Sequence, residues 1–199
     1  MMTKNYLIPA LLAAIALSMT GCGTSPPSAY YTLDAADIEY STDADGAIVL
    51  GIGPVRTPEY LERSQIVTRR DDAELKVDDF NRWAEPVADS LHRILAQNVD
   101  ALLEDVVVIS YPYGMFADYG YRLVGRVDRF DMDATGTTRL SLIWGISTPD
   151  GEIYVPPTRR EYVESGGNPD DPNAVAAAMS RCLEQFSRDI AERFGKMAR

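Results

Sequence analysis

Two long segments of this chain carry apolar residues three or four positions apart, and this spacing constrains the fold more than any other feature. Such a stripe lies along one face of an α-helix and has to be buried against a second layer. The first predicted helix runs from about Phe80 to Leu103, and the second runs from Asn173 to Lys196. Their stripes consist of Phe80, Trp83, Val87, Leu91, Leu95, Val99 and Leu102, and of Val175, Met179, Cys182, Leu183, Phe186, Ile190 and Phe194.

Pro86 constrains where the first helix begins. Proline is tolerated in the first turn of a helix but not in its interior. We therefore expect the regular helix to begin near Glu85, with residues 80–84 forming a preceding turn. Asp78 or Asp79 is the candidate for the N-cap.

The remaining apolar runs predict strands. They cover residues 29–33, 47–55, 64–70 with a short return at 74–77, 105–111, 119–131, 137–148 and 152–162. The continuous run at 47–55 favours a central strand covered on both faces. Pro156 and Pro157 indicate that the last strand lies at an edge or contains a bulge.

The order of these elements is strands, helix, strand, three-stranded meander and helix. It predicts a single α/β (α+β) domain, in which a mixed or largely antiparallel β-sheet packs against two long α-helices. If both helices share one face of the sheet, the other face is a candidate interaction surface. Strict alternation in the 119–131 strand predicts one face with Tyr121, Leu123, Gly125, Val127 and Arg129, and another with Val124, Arg126, Asp128 and Phe130.

The N-terminal residues have the composition of a targeting segment. Lys4 precedes the apolar stretch 6–17, and small residues lead to Cys22. The stretch is shorter than the roughly 20 apolar residues of a membrane-spanning helix. We predict a signal peptide at 1–21, a modified cysteine and linker at 22–28, and one domain at 29–199. An ordinary signal peptide with a chance cysteine is the alternative.

The residues around Cys22 resemble the lipobox of bacterial lipoproteins. The segment reads Met-Thr-Gly-Cys, with Met19 where leucine is usual. The resemblance implies cleavage before Cys22, diacylglycerol on its thiol and a palmitoyl chain on its amine. Gly23, in place of aspartate, implies the outer membrane and a domain that faces the periplasm.

Charge and cysteine content exclude several partners. The chain has 19 Lys and Arg against 30 Asp and Glu, and loss of Lys4 with the signal peptide leaves a net charge of −12. This charge argues against nucleic acid as a partner and against electrostatic binding to anionic lipid, so that the lipid would provide the anchor. The other cysteine, Cys182, lies on an apolar helix face and is interpreted as a small buried hydrophobe.

No pattern in the sequence indicates catalysis. The single histidine, His92, lies in mid-helix, and neither GxSxG nor HExxH occurs. Gly51 and Gly53 are followed by Pro54, which removes a backbone donor from any phosphate cradle. We predict no enzyme activity, no cofactor and no metal site, and a hydrolase has the least support of the functions considered.

Three motifs follow one another downstream of Cys22. They are PEYLER at 58–63, QIVTR at 65–69 and RWAEP at 82–86, accompanied by YYTL at 30–33 and RFD at 129–131. Behind a lipobox, this series closely resembles the PqiC (YmbA-like) family, the auxiliary lipoproteins of ABC-type, MCE-associated transport systems. The resemblance covers nearly the whole mature chain.

The resemblance implies a role and a set of partners. The role is that of a membrane-anchored, non-catalytic component of an intermembrane lipid transport system. The partners are the membrane, an MCE-domain protein and integral membrane transport subunits, with a homo-oligomer left open. The alternative function is a stand-alone periplasmic lipoprotein that binds lipid or another apolar ligand.

Five motif residues are the candidates for partner binding: Pro58, Tyr60, Leu61, Arg63 and Trp83. Pro54 and Pro58 stiffen the turn that would present them, and aromatic and arginine side chains are frequent interface anchors. The alternative is structural. Tyr60 and Leu61 would then pack on the sheet, Trp83 would anchor the helix start, and Arg63 would pair with Glu85.

Overall fold

The computed structural model describes residues 25–38, 48–113 and 119–197. Within these ranges the chain forms eight strands, one short 3-10 helix (Glu59–Leu61) and two long helices. The strands are β1 Ala29–Tyr31, β2 Ile48–Arg56, β3 Gln65–Arg69, β4 Leu75–Trp83, β5 Val106–Ser110, β6 Tyr121–Met132, β7 Thr138–Ser147 and β8 Ile153–Glu164. The helices are α1 Val87–Leu102 and α2 Pro172–Met197.

The larger sheet has five strands in the order β5-β2-β6-β7-β8. Strand β2 pairs in parallel with both β5 and β6, and the β6-β7-β8 meander is antiparallel. The predicted mixed sheet is thus confirmed, and β2 lies inside it as its apolar run indicated. Strand β8 is an edge, as Pro156 and Pro157 predicted, and its pairing with β7 shifts register near Val155.

A second sheet of three strands, in the order β1-β4-β3, accompanies the first. Strand β1 runs parallel to β4, and β3 runs antiparallel to it. We predicted one sheet, but β4 pairs with β1 on one side and with β3 on the other, which makes a separate sheet. A single bridge between Arg69 and Asp133 links this small sheet to the large one.

Both helices pack on the large sheet and on each other, as the two stripes predicted. Leu91, Leu95 and Val99 of α1 are fully buried, and so are Phe186 and Ile190 of α2. Helix α1 contacts β2 and β5, and helix α2 contacts β6, β7 and β8. They therefore share one face, and the opposite face of the sheet is left uncovered by them.

The turn predicted for residues 80–84 was wrong, whereas the helix begins two residues after Glu85. Helix α1 begins at Val87, directly after the extended Pro86, and residues 80–83 belong to β4. Strand pairing satisfies the backbone there, because the Trp83 N–H donates to Ser64 O at 2.6 Å. Asp78 does not cap the helix but accepts hydrogen bonds from the backbone N–H groups of Phe80 and Asn81, each at 2.9 Å.

The face assignment in β6 was wrong beyond residue 127. The pairing of β6 with β7 shifts register between Val127 and Arg129, which marks a β-bulge. A bulge adds one residue and reverses the alternation that follows it. Phe130 and Met132 therefore join the core with Val127, whereas Arg129 leaves that face.

Candidate functional site

The proposed anchor lies outside the described residues. Cys22, the signal peptide at 1–21 and Gly23 precede Ser25, where the described part of the chain begins. Lipidation of Cys22 therefore stays a prediction. In the described ranges, neither helix combines the length and apolar character that a membrane crossing requires.

Residues from three of the sequence motifs meet at the buried carboxylate of Asp131. Arg69 donates to Asp131 through Nε at 3.1 Å and through Nη2 at 3.0 Å, in a bidentate pair. Arg129 donates through Nε at 2.9 Å, and the Tyr60 hydroxyl donates to Oδ2 at 2.9 Å. The same hydroxyl accepts a hydrogen bond from the Phe130 N–H at 2.9 Å. We call Tyr60, Arg69, Arg129 and Asp131 the Asp131 network.

The Asp131 network holds separate layers together. Tyr60 comes from the 3-10 helix, Arg69 from β3 of the small sheet, and Arg129 and Asp131 from β6 of the large sheet. Four donors occupy the two oxygens of Asp131, which is the full hydrogen-bonding capacity of a carboxylate. The side chain of Asp131 is fully buried, and both arginines are more than two-thirds buried.

Electrostatics assign the Asp131 network a structural role. Burial raises the pKa of the Tyr60 hydroxyl, and the nearby negative charge of Asp131 raises it further. The hydrogen bond to Asp131 likewise raises the pKa of the Arg69 guanidinium. Both groups keep their protons at neutral pH, so that they act as fixed donors rather than as acid–base catalysts.

The five predicted partner-binding residues lie in different environments. Leu61 and Trp83 are buried in the core, which matches the packing alternative, and Tyr60 is held by Asp131. Pro58 is half-buried and directly precedes the 3-10 helix, whereas Arg63 is exposed. Their role in partner binding stays a prediction, and Arg63 is the residue among them that is accessible to a partner.

The predicted ion pair between Arg63 and Glu85 is wrong. Glu85 instead pairs with Arg93 of α1, and this hydrogen bond lowers the pKa of Glu85. Arg63 lines a shallow groove of about 620 Å³ beside the small sheet. The groove is also lined by Glu59, Tyr60, Glu62, Val67, Leu75 and Val77.

His92 is a buried residue of α1 that contacts β2. Its Nε2 accepts a hydrogen bond from the Val55 N–H at 2.9 Å. Burial lowers the pKa of this histidine, so that the neutral ring is favoured. Across the described ranges, no three His, Cys, Asp or Glu side chains are grouped so that they could hold a metal ion.

Sequence reasoning did not find the Asp131 network. Arg69 and Asp131 are 62 positions apart, and the alternation pattern placed Arg129 on the wrong face of its strand. One signal was present, because Arg69 ends the strand that contains the buried Ile66 and Val67, and Asp131 lies between the buried Phe130 and Met132. A charge in such a position needs an opposite charge nearby.

The fold and the Asp131 network define a single-domain α+β protein whose motif residues connect its own layers. Residues 31–191 match the family described as "ABC-type transport auxiliary lipoprotein component". The chain belongs to this family, and the PqiC-like resemblance of its motifs is confirmed.

Two relatives agree with this assignment, and two solved structures share the fold. The chain is 27% identical over 171 residues to the intermembrane transport lipoprotein PqiC of Escherichia coli (strain K12), covering 85% of this chain and 89% of that protein. The PqiC of Shigella flexneri gives the same values. A crystal structure of an uncharacterized protein shares the fold with a TM-score of 0.66 at 21% identity, covering 84% of this chain and 98% of that one. A crystal structure of protein XCC0632 from Xanthomonas campestris has a TM-score of 0.61 at 18% identity, with coverages of 81% and 92%.

Proposed function

We propose that this protein is a lipid-anchored, non-catalytic auxiliary component of an MCE/ABC-type intermembrane lipid transport system, attached to the outer membrane and facing the periplasm. The observation that carries the proposal is the family match over residues 31–191, which includes every residue of the Asp131 network. The name of the E. coli relative, an intermembrane transport lipoprotein, supports the same role.

The position of the first strand supports a domain held close to the membrane. Strand β1 begins at Ala29, seven residues after Cys22. A fully extended chain spans at most about 3.6 Å per residue, so seven residues reach about 25 Å. A lipid on Cys22 would therefore keep the domain within about one bilayer thickness of the membrane surface.

The Asp131 network supports a partner-binding role for the PEYLER turn. It fixes Tyr60 on one side of the turn, while the Leu61 side chain is buried on the other. The exposed Arg63 follows two residues after Leu61, so the backbone that leads to it is fixed by the contacts of Tyr60 and Leu61. Preorganised contacts bind with a smaller loss of conformational freedom, and arginine is enriched among the residues that dominate interfaces.

The anchor is tested by Cys22→Ala in the full chain. We expect this variant to leave the membrane fraction and to lose labelling by radioactive palmitate. The matched control is Cys182→Ala, which removes the other cysteine and should keep both the label and the membrane location. Palmitate labelling of the Cys22→Ala protein would contradict the proposed anchor.

The transport partner is tested by co-expression with an MCE-domain protein of the same organism. We expect the two proteins to co-purify from detergent-solubilised membranes and Arg63→Glu to weaken the complex. Arg188→Glu, an exposed charge reversal on α2, is the matched control. If the two proteins never co-purify, the MCE assignment fails. If both variants bind like the wild type, the assignment of the PEYLER turn fails.

A further inference from the structure

The uncovered face of the large sheet carries an apolar groove. Its volume is about 600 Å³, which lies within the 300–1,000 Å³ typical of small-molecule sites. The groove crosses the ends of β2 and β7, the first half of β6 and the start of β8. Its apolar lining comes from Pro54, Val124, Ile143, Ile153, Val155 and Pro157.

Gly145 of β7 allows the irregular part of β8 to approach at this groove. A Cβ atom at Gly145 would lie 2.9 Å from Val155 O and 3.2 Å from Pro157 N, which is too close for the backbone to tolerate. The register shift in β8 falls at the same residues. The groove is therefore built from backbone geometry as well as from side chains.

Two arginines stand side by side at this groove. Arg56 and Arg126 are register partners on the parallel strands β2 and β6, and both line the groove. Like charges directly opposite each other destabilise a sheet. Arg126 contacts Asp128 at 3.1 Å, but Asp128 also pairs with Arg159 at 2.6 Å. Arg56 has no ion-pair partner among the described residues.

The charge at the groove is opposite to that of the chain. The charged residues that line the groove are both arginines, Arg56 and Arg126, whereas the whole chain has a net charge of −11. An apolar floor beside unbalanced arginines is complementary to a molecule with an apolar body and an anionic head.

We infer that this groove binds an acyl chain of an anionic phospholipid, with its phosphate between Arg56 and Arg126. A helix of a partner protein is a poorer fit. A helix about 10 Å wide fills roughly 400 Å³ per turn, so the groove would accept less than two turns of it. An acyl chain can lie along the groove and leave the head group beside the arginines.

This inference goes beyond the proposed function, because it requires neither the anchor nor a transport partner. The test is binding of palmitoyl-lysophosphatidylglycerol to the full chain carrying Cys22→Ala, which leaves every described residue unchanged. We expect saturable binding of one molecule, measured by native mass spectrometry and calorimetry. Lysophosphatidylcholine should bind about tenfold more weakly, and glycerol phosphate, the head without the chain, should not bind measurably.

Substitutions distinguish the contribution of the arginines to lipid binding from that of the apolar floor. Arg56→Gln should weaken binding about threefold, and Arg56→Gln with Arg126→Gln about tenfold, as expected for exposed ion pairs. Ile143→Glu should abolish binding, whereas the control Arg188→Gln should bind like the wild type. Circular dichroism would verify that each variant folds.

Three results would overturn the inference. One is the absence of lysophosphatidylglycerol binding. Another is equal binding by the wild type and by the Ile143→Glu and double-arginine variants. The third is self-association of the chain that Ile143→Glu disrupts while no lysolipid binds, which would assign the groove to a second copy. None of these results bears on the lipid anchor or on the MCE partner, which are tested separately.

Discussion

The hydroxyl of Tyr60 joins two strand positions at once: it donates to Asp131 Oδ2 and accepts from the Phe130 N–H, both at 2.9 Å. A phenolic hydroxyl can both donate and accept, so this one group serves both positions. The tyrosine of the PEYLER motif is thus bound to the RFD motif 70 residues later.

Removing this hydroxyl should destabilise the domain. Tyr60→Phe leaves the Phe130 N–H and one site on Asp131 without a partner, and buried unpaired groups cost about 1–3 kcal/mol each. We expect a loss of about 2 kcal/mol in the free energy of unfolding, measured by urea denaturation. Tyr30→Phe, at a residue that is 66% exposed, is the control and should change stability by less than about 0.5 kcal/mol. Equal stabilities for the two variants would show that the hydroxyl has no structural role.

Neutralising Asp131 should have a larger effect. Asp131→Asn keeps the shape of the side chain but leaves the charges of Arg69 and Arg129 without a counter-ion. Breaking a buried ion pair costs about 3–5 kcal/mol, and we expect about 3 because both arginines keep some contact with water. Glu184→Gln, at an exposed pair on α2, should cost less than about 0.5 kcal/mol in the same assay.

His92 should make the free energy of unfolding fall as the pH drops below about 7. Burial lowers the pKa of His92 in the folded state, while the unfolded chain keeps the ordinary value of about 6.5. As the pH falls through 6.5, the unfolded state therefore binds the proton first, and the free energy of unfolding decreases. His92 is the single histidine of the chain, so His92→Gln should flatten this slope. The measurement is urea denaturation at pH 7.5 and 5.5. An equal change in the free energy of unfolding in the wild type and in His92→Gln would contradict this role of His92.

Cys182 should be unreactive in the folded protein. Burial raises the pKa of its thiol to about 12, and thiolate is the reactive form. In a Cys22→Ala background, iodoacetamide at pH 8 should label the protein only after urea is added, as seen by intact mass. Rapid labelling without urea would mean that α2 opens near Cys182.

Gly145 should tolerate no side chain. Gly145→Ala places a methyl group 2.9 Å from Val155 O, and such overpacking costs about 1–3 kcal/mol. Gly120→Ala is the matched control, because the nearest atom to its added Cβ is 3.8 Å away. We expect a lower melting temperature for the first variant alone. If both variants melt like the wild type, strand β8 can move away from β7 at little cost.

The accuracy of the sequence-based predictions depended on how local each feature is. The stripe through Leu91, Leu95 and Val99 identifies the buried face of α1 from the residues of the helix alone. Likewise, Pro156 and Pro157 exclude a central position for β8 whichever strand lies beside it. Phe80 and Trp83 were misassigned because a spacing of three also occurs in a strand whose pairing is irregular. The Asp131 network and the division into two sheets depend on contacts between distant segments, which periodicity does not encode.

The pairing of β2 also determines the order in which the chain can fold. Its partners begin at residues 106 and 121, so the apolar segment 48–56 is synthesised long before either neighbour is available. Contacts that are distant in sequence slow folding and prolong the exposure of unpaired strands. A nascent chain truncated before β6 would thus leave one edge of β2 unpaired, and an unpaired edge can pair with another chain. A chaperone that covers residues 48–56 would protect this edge until β6 has been synthesised.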